Sequence, residues 1–251
     1  MFLNHFLEKS MTNSSTLPNE ISQFSALADK WWDPKGPMSP LHAMNPARIE
    51  WTQDQILTHF KCQKSEITLL DLGCGAGIAT EALAKLGFSV TGADASPEVL
   101  KVANKRLEKN NALQKNISYV NANGEELIAD HKQFDVVCAF EIIEHVRDPE
   151  DFLRILEQLT KPNGLIIVST LNKTYASFLE SKILAEYFLR LLPVGTHNWH
   201  KFLVPSELAR LGRNVGLNPE GIAGLQFDYP YWKTKRSPGS NYILSFQKTT
   251  T

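Results

Sequence analysis

The stretch Ile67-Thr68-Leu69-Leu70-Asp71-Leu72-Gly73-Cys74-Gly75-Ala76-Gly77 decides the fold. Ile67 to Leu72 is apolar and of strand length, and the three alternating glycines mark a sharp turn after it. From Ile78 to Leu86 the apolar spacing changes to a helical period. Strand, glycine turn and helix aim backbone N–H groups at a ligand on the edge of a parallel sheet. A dinucleotide fingerprint wants a small residue where this chain carries Ile78, which disfavours a nicotinamide oxidoreductase.

Working outward, Asp94 closes a second apolar-rich stretch, Phe88-Ser89-Val90-Thr91-Gly92-Ala93, 21 positions after Gly73. At that distance an acidic residue ending strand two can accept both hydroxyls of a ribose. The helix that follows takes its own cap from Ser96, with Pro97 at its first position, so Asp94 is not needed there. Asp71-x-Gly73-x-Gly75-x-Gly77 resembles the first motif of S-adenosyl-L-methionine (AdoMet)-dependent methyltransferases. That resemblance makes Gly73, Gly75 and Asp94 candidate cofactor-binding residues. It adds Asn123 and Gly124 at the end of strand three, where adenine is edged by a polar side chain and a backbone N–H.

The rest of the chain alternates regularly. Strands are expected at Ile67–Leu72, Ser89–Ala93, Ile117–Val120, Phe134–Phe140 and Leu165–Thr170, with helices between them. Asp148-Pro149 caps one of those helices, and Lys161-Pro162-Asn163-Gly164 turns into strand five. After an inserted stretch, Ser206 to Val215 reads as a helix, and Ile222–Asp228 with Tyr242–Lys248 reads as a closing antiparallel hairpin. The expected fold class is α/β: a doubly wound, mostly parallel seven-stranded sheet with N-terminal helices and an insertion after strand five. Residues 1–18 read as a flexible leader and 19–251 as one domain, with a helical cap at 19–62 and a substrate or membrane insertion at 171–205.

In the cap, Ile21, Phe24, Leu27, Ala28 and Trp31 fall on one helical face, and Asp33-Pro34-Lys35-Gly36-Pro37 stops it. A second helix is expected from Asn45-Pro46, with Asn45 as cap. Arg48 then lies in its first turn, where a positive charge opposes the helix dipole. Two readings remain for Arg48: a clamp on the carboxylate of the cofactor's methionine, or a surface ion pair.

Strand four runs into Glu141-Ile142-Ile143-Glu144-His145-Val146. With a helical turn there, Glu141, Glu144 and His145 project from one side and could hold a divalent cation, Mg²⁺, Mn²⁺ or Zn²⁺. The competing reading makes His145 a metal-free base or a packing residue.

Composition bounds the rest. Hydrophobic content of 43%, charged content of 21% and a formal net charge of −1 describe an ordinary globular protein without the basic face of a nucleic-acid binder. Cys62, Cys74 and Cys138 are too scattered for a metal knuckle or a redox pair. A reducing, cytoplasmic setting is expected.

Several stretches together resemble the ubiquinone-biosynthesis O-methyltransferases. They are Phe24-x-x-Leu-Ala-Asp-Lys-Trp31-Trp32-Asp33, Pro40-Leu41-His42, Asn45-Pro46-x-Arg48, Asp71-Leu-Gly-Cys-Gly and Glu141-x-x-Glu144-His145-Val146. Ser169-Thr-Leu-Asn172, Ala185-Glu186-Tyr187, Gly195-Thr196-His197 and Lys201-Phe202 extend the likeness from about residue 20 to the end. The resemblance implies an AdoMet-dependent enzyme that methylates a catechol hydroxyl of 3-demethylubiquinol and of an earlier 2-polyprenyl-6-hydroxyphenol. It implies AdoMet contacts at Arg48, Gly73, Asp94 and Phe140, and catalytic and metal-binding roles for Glu141, Glu144 and His145, with Mg²⁺ as the first choice of ion.

A polyprenylated quinol lies in a bilayer. The aromatic, amphipathic insertion at 171–205 is therefore expected to touch anionic lipid at the inner face of the cytoplasmic membrane, as a lid and a peripheral anchor. Other ubiquinone-biosynthesis enzymes are expected partners; nucleic acid is not. Two alternatives stand beside this reading: a methyltransferase of another small phenolic or lipid-like acceptor with His145 as base, and a non-catalytic AdoMet-binding module.

Overall fold

The computed structural model describes Ser15 and residues 18–173 and 202–249. The rest of the leader and residues 174–201 of the insertion, with the expected lid and lipid contact there, lie outside the described residues.

The sheet is built as the strand pattern dictates. Strands β1 (Thr68–Leu72), β2 (Ser89–Asp94), β3 (Ile117–Asn121), β4 (Phe134–Phe140) and β5 (Thr160–Leu171) are parallel. Strands β6 (Leu217–Asp228), β7 (Tyr231–Lys235) and β8 (Asn241–Lys248) close it, in the order β3-β2-β1-β4-β5-β8-β6-β7. Strand β8 lies antiparallel between β5 and β6. The sheet therefore has eight strands, not seven. The expected hairpin partners β6 and β8 do pair, and the residues between them turn back as β7 along the outer edge.

Alternate residues of each central strand feed opposite layers, as the period of two requires. Leu70, Leu72, Val137, Ala139, Ile166 and Val168 face one core. Leu69, Val136, Cys138, Leu165 and Ile167 face the other. Because both faces are covered, these strands read as nearly continuous apolar runs. The seven helices described are α1 (Pro18–Ser25), α2 (Ser39–His59), α3 (Ile78–Lys85), α4 (Pro97–Glu108), α5 (Gly124–Ala129), α6 (Pro149–Leu159) and α7 (Pro205–Asn214). Helices α5 to α7 pack on the first core through Leu127, Phe152, Leu153, Leu156 and Leu208. Helices α2 and α3 pack on the second through Ala47, Ile56, Ala79 and Leu83.

Caps follow the expected chemistry at two helices. Ser96 Oγ accepts the Val99 N–H (3.3 Å), and Asp148 Oδ1 accepts those of Glu150 (2.8 Å) and Asp151 (3.2 Å). The N-terminal cap differs. Helix α1 ends at Ser25, and a short 3-10 turn, Ala28–Lys30, carries the chain on to Trp31. Helix α2 begins at Ser39, so Pro46 lies inside it and Asn45 is no cap. The buried Asn45 side chain instead accepts from Arg48 and donates to the Ile78 carbonyl. Tertiary hydrogen bonding thus outweighs the local preference of an Asn-Pro pair for a helix start.

Ile56 is fully buried between α2 and the sheet. Ile56→Ala should lower unfolding stability by about 2–5 kcal/mol, read from a denaturant titration, because the site is closed by secondary structure and collapses poorly.

Candidate active site

The glycine turn leaves the carboxyl end of β1 with Gly73, Gly75 and Gly77 all at positive φ. A Cβ on Gly75 would collide with the Trp31 ring, and one on Gly77 with the Tyr119 hydroxyl, so packing as well as φ demands glycine at both. The turn is held to β2 from two sides. Gly73 and Cys74 donate their N–H groups to the Ala93 carbonyl (2.8 and 3.1 Å), and Gly75 donates to Asp94 Oδ2 (2.8 Å). The other oxygen, Asp94 Oδ1, accepts from Ser96 N–H (2.8 Å). Burial pushes the Asp94 carboxyl up, and those two backbone donors pull it back. Each oxygen keeps a lone pair for a further donor. The turn and this carboxylate fit a ribose-bearing cofactor.

Beneath the turn, Asp71 is buried and accepts from Thr80 Oγ1 (2.6 Å), with its carboxyl raised to about 6 by desolvation. Burial drives the Cys74 thiol well above its usual value, helped by Asp94 and Asp71, so it behaves as a small packed residue.

Arg48 stands inside α2 at 3% exposure, so the helix-dipole argument for it falls and burial replaces it. Its guanidinium donates to Asn45 Oδ1 (2.9 Å), lies 3.9 Å from Glu141 Oε1 and stacks over the Phe140 ring at 4.6 Å. Its Nε has no hydrogen-bond partner despite being buried. The surface ion pair is thereby excluded, and an unspent donor remains in a protected position.

At the end of β4 the chain does not turn helically. Glu141 has φ of +57°, and only Ile143–His145 forms a short 3-10 turn. Glu141 Oε1 accepts from Ser169 Oγ (2.6 Å), and buried Glu144 Oε2 accepts from Thr170 Oγ1 (2.9 Å). The His145 ring meets the edge of Phe24 at 5.5 Å. Among the described residues no group of three His, Cys, Asp or Glu side chains could hold a metal ion, so these three do not form the expected ligand set as placed. The i, i+3, i+4 geometry needed a helix that the positive φ at Glu141 interrupts.

Ser169 and Thr170, which the sequence marks only within the run Ser169-Thr-Leu-Asn172, join the site as partners of the two acids. Their signal was two hydroxyls ending an otherwise apolar strand, where each now satisfies a carboxylate. Asn123 caps α5 instead of standing free at the end of β3: its Oδ1 accepts from Glu126 N–H (2.9 Å), and Gly124 opens the helix behind it.

The N-terminal cap lies across the turn. Trp31 packs on Gly75, Trp32 Nε1 donates to the Ala76 carbonyl (2.9 Å), and Arg106 stacks over Trp32 at 3.6 Å while pairing with Glu81 (2.7 Å). Phe24 touches both Trp31 and His145, so one strap spans the glycine turn and the acidic segment.

A family model described as a methyltransferase domain matches residues 46–220. The ubiquinone biosynthesis O-methyltransferase of Pelagibacter ubique is 40% identical over 236 residues, covering 91% of this chain and 97% of its own. The enzyme of the same name from Cereibacter sphaeroides (strain ATCC 17025) is 40% identical over 245 residues, covering 94% and 98%. Among solved structures, a SAM-dependent methyltransferase from Thermotoga maritima superposes with a TM-score of 0.62 at 17% identity, over 91% of this chain and 99% of that one. Magnesium protoporphyrin IX methyltransferase from Synechocystis, with bound SAH, gives 0.61 at 16% identity, over 83% of each chain. At such identities the two structures speak to the fold alone.

Burial and the neighbouring Glu141 raise the Glu144 carboxyl to about 7, so the folded chain holds a proton there that the unfolded chain releases near pH 4.5. Stability should therefore fall as pH rises from about 5 to about 7 and then level off. In Glu144→Gln, which keeps an acceptor for Thr170, thermal melting across that window should lose this part of the slope.

Proposed function

The chain belongs to the family of ubiquinone biosynthesis O-methyltransferases, and from that premise we propose how its own residues divide the work. It is an AdoMet-dependent O-methyltransferase. The proposed acceptors are the catechol hydroxyls of 3-demethylubiquinol and of the earlier 2-polyprenyl-6-hydroxyphenol.

AdoMet, when bound, supplies a sulfonium methyl group for in-line displacement. The observation that carries the reading is the half-buried Asp94 carboxylate, pinned by two backbone N–H groups at the mouth of the glycine turn. In this reading Asp94 accepts the ribose hydroxyls, and the backbone of Gly73 and Gly75 gives the chain its close approach. Gly124 lines the adenine end, where its N–H opens a helix. Arg48, whose Nε is unspent, holds the methionine carboxylate, with Phe140 fixing the plane of its guanidinium.

The acceptor oxygen needs to lose a proton. A phenol with pKa near ~10 is ionised in only about one molecule in a thousand at neutral pH. Glu144, with its carboxyl raised to about 7, sits in the range that suits a general base. Glu141 is tethered to Ser169 and Arg48 and shapes the acidic edge. His145 remains the competing base, and in that version the acceptor is another small phenolic or lipid-like molecule. Competition between catechols and simple phenols separates the two acceptor readings.

The divalent ion, Mg²⁺ first, rests on the resemblance, and holding it would require Glu141, Glu144 and His145 to turn toward one point. Turnover lost on EDTA treatment and regained with Mg²⁺ would carry that ion. Turnover indifferent to the chelator would leave the proton to the chain's own groups. Among the described residues no helix is long and apolar enough to cross a membrane. Contact with anionic lipid through the insertion, and with other enzymes of the same biosynthesis, stays part of the proposal.

Incubation with labelled AdoMet and a short-tail demethylubiquinol should give a labelled methyl ether; no transfer to any catechol would overturn the reading. Asp94→Asn should weaken AdoMet binding at least tenfold by calorimetry, about 1.4 kcal/mol, since a carboxylate is replaced by a group with one acceptor oxygen.

A further inference from the structure

We propose that the β6–β7 hairpin is a docking surface for an anionic lipid bilayer, placed so that docking brings the ligand edge of the sheet to the membrane. The argument starts from register. Leu171 at the end of β5 and Leu225 of β6 both pair with Asn241 of β8, so they stand level at the sheet's carboxyl edge. Strand β6 continues three residues beyond that level to Asp228, where it pairs with Tyr231 of β7. At about 3.4 Å per residue the tip overhangs the edge by roughly 10 Å, on the side where the glycine turn and the acidic segment open.

What projects there is apolar. Phe227, Tyr229 and Tyr231 are 57%, 87% and 70% exposed, three of the four large hydrophobic side chains exposed among the described residues. They are organised rather than scattered. Phe227 meets Tyr229 at 6.3 Å and Trp232 at 6.1 Å, while half-buried Trp232 packs on the core layer beneath α2 and anchors the base. Amphipathic rings of this kind settle at the headgroup level of a bilayer, their bodies among the acyl chains and their polar tips in water.

The charges fit the same partner. Exposed Lys233, Lys235 and Arg236 follow directly, against the one carboxylate of Asp228, in a chain whose formal net charge is −1. A cluster of cations beside aromatics matches lipid phosphate. Each such cation near an anionic surface strengthens attachment by about fivefold. A strand from another protein is the other occupant an edge like β7 could take. Lysines at Lys233 and Lys235 are, however, the side chains that blunt an edge against strand addition. The bilayer as occupant rests partly on the lipid-tailed acceptor proposed above, while the surface rests on the hairpin alone.

The test is flotation of the full chain with vesicles of phosphatidylcholine, with and without phosphatidylglycerol. It is run beside methylation of a water-soluble, short-tail catechol. Wild type should float with the anionic vesicles. Tyr229→Ser/Tyr231→Ser should reduce the bound fraction at least tenfold, and Lys235→Gln/Arg236→Gln should remove the preference for phosphatidylglycerol. Both variants should keep the wild-type melting temperature and turnover on the soluble acceptor, since these side chains are exposed and distant from the turn. Variants that float like wild type, or a wild type that stays with neither vesicle, would overturn the proposal. So would a Tyr229→Ser/Tyr231→Ser protein that floats normally but loses self-association. A wild type that floats yet methylates no catechol would instead remove the function reading and leave the docking surface standing.

Discussion

The carboxylate of Asp94, accepting one backbone N–H from the glycine turn and another from the start of α4, is the contact on which the site depends. Strand β2 ends there, the turn after β1 is clamped there, and the N-terminus of the next helix begins there. Three positive-φ glycines give the turn its shape but no fixed place. The paired bonds to Asp94 and to the Ala93 carbonyl supply the place. Once the turn is held, a flat indole can lie on Gly75 because no Cβ stands in the way. The N-terminal strap therefore docks on the same atoms that would meet a cofactor.

Polar groups at the ends of β4 and β5 follow a second logic. Burying a charge is costly unless partners are supplied, and here each carboxylate has a hydroxyl from the neighbouring strand, while Glu141 also faces the Arg48 guanidinium. The compensation is incomplete. Glu144 remains near neutrality, and Arg48 keeps one donor unspent. Such residual mismatch is poor for stability and useful for chemistry, because it leaves a group ready to take a proton and another ready to meet an anion. The strap adds the third wall, with Phe24 against His145 and Trp31 against the turn.

The closing strands give the molecule its asymmetry. On one side the sheet ends at β3, short and level with its neighbours. On the other, β6 outruns β8, and β7 folds back along it with aromatic and basic side chains outward. Helix α2 crosses under that edge and carries Arg48 to Phe140, so the projecting hairpin and the interior of the site share one support.

Much of this was legible in the order of residues because it depends on local periods. The apolar runs of β1, β4 and β5, the glycine turn, the Ser96 and Asp148 caps and the spacing to Asp94 all follow from dihedral preference and from covering both faces of a sheet. The resemblance names the family, while Arg48 and the Glu141–His145 segment stand out from the residues alone, as a charge set against a helix dipole and as two acids beside an imidazole. What only the tertiary structure decided is how distant segments satisfy one another. Helix α2 runs through Pro46 because Asn45 is engaged by Arg48 and Ile78; Glu141 turns to positive φ and breaks the helical set with Glu144 and His145. Ser169 and Thr170 become partners of those acids, and β7 adds an eighth strand. None of these is encoded in a period of two or of 3.6: the bonds of Asn45 to Ile78, Ser169 to Glu141 and Thr170 to Glu144 join residues 26 to 33 positions apart, and their worth exists only once the core has brought them together.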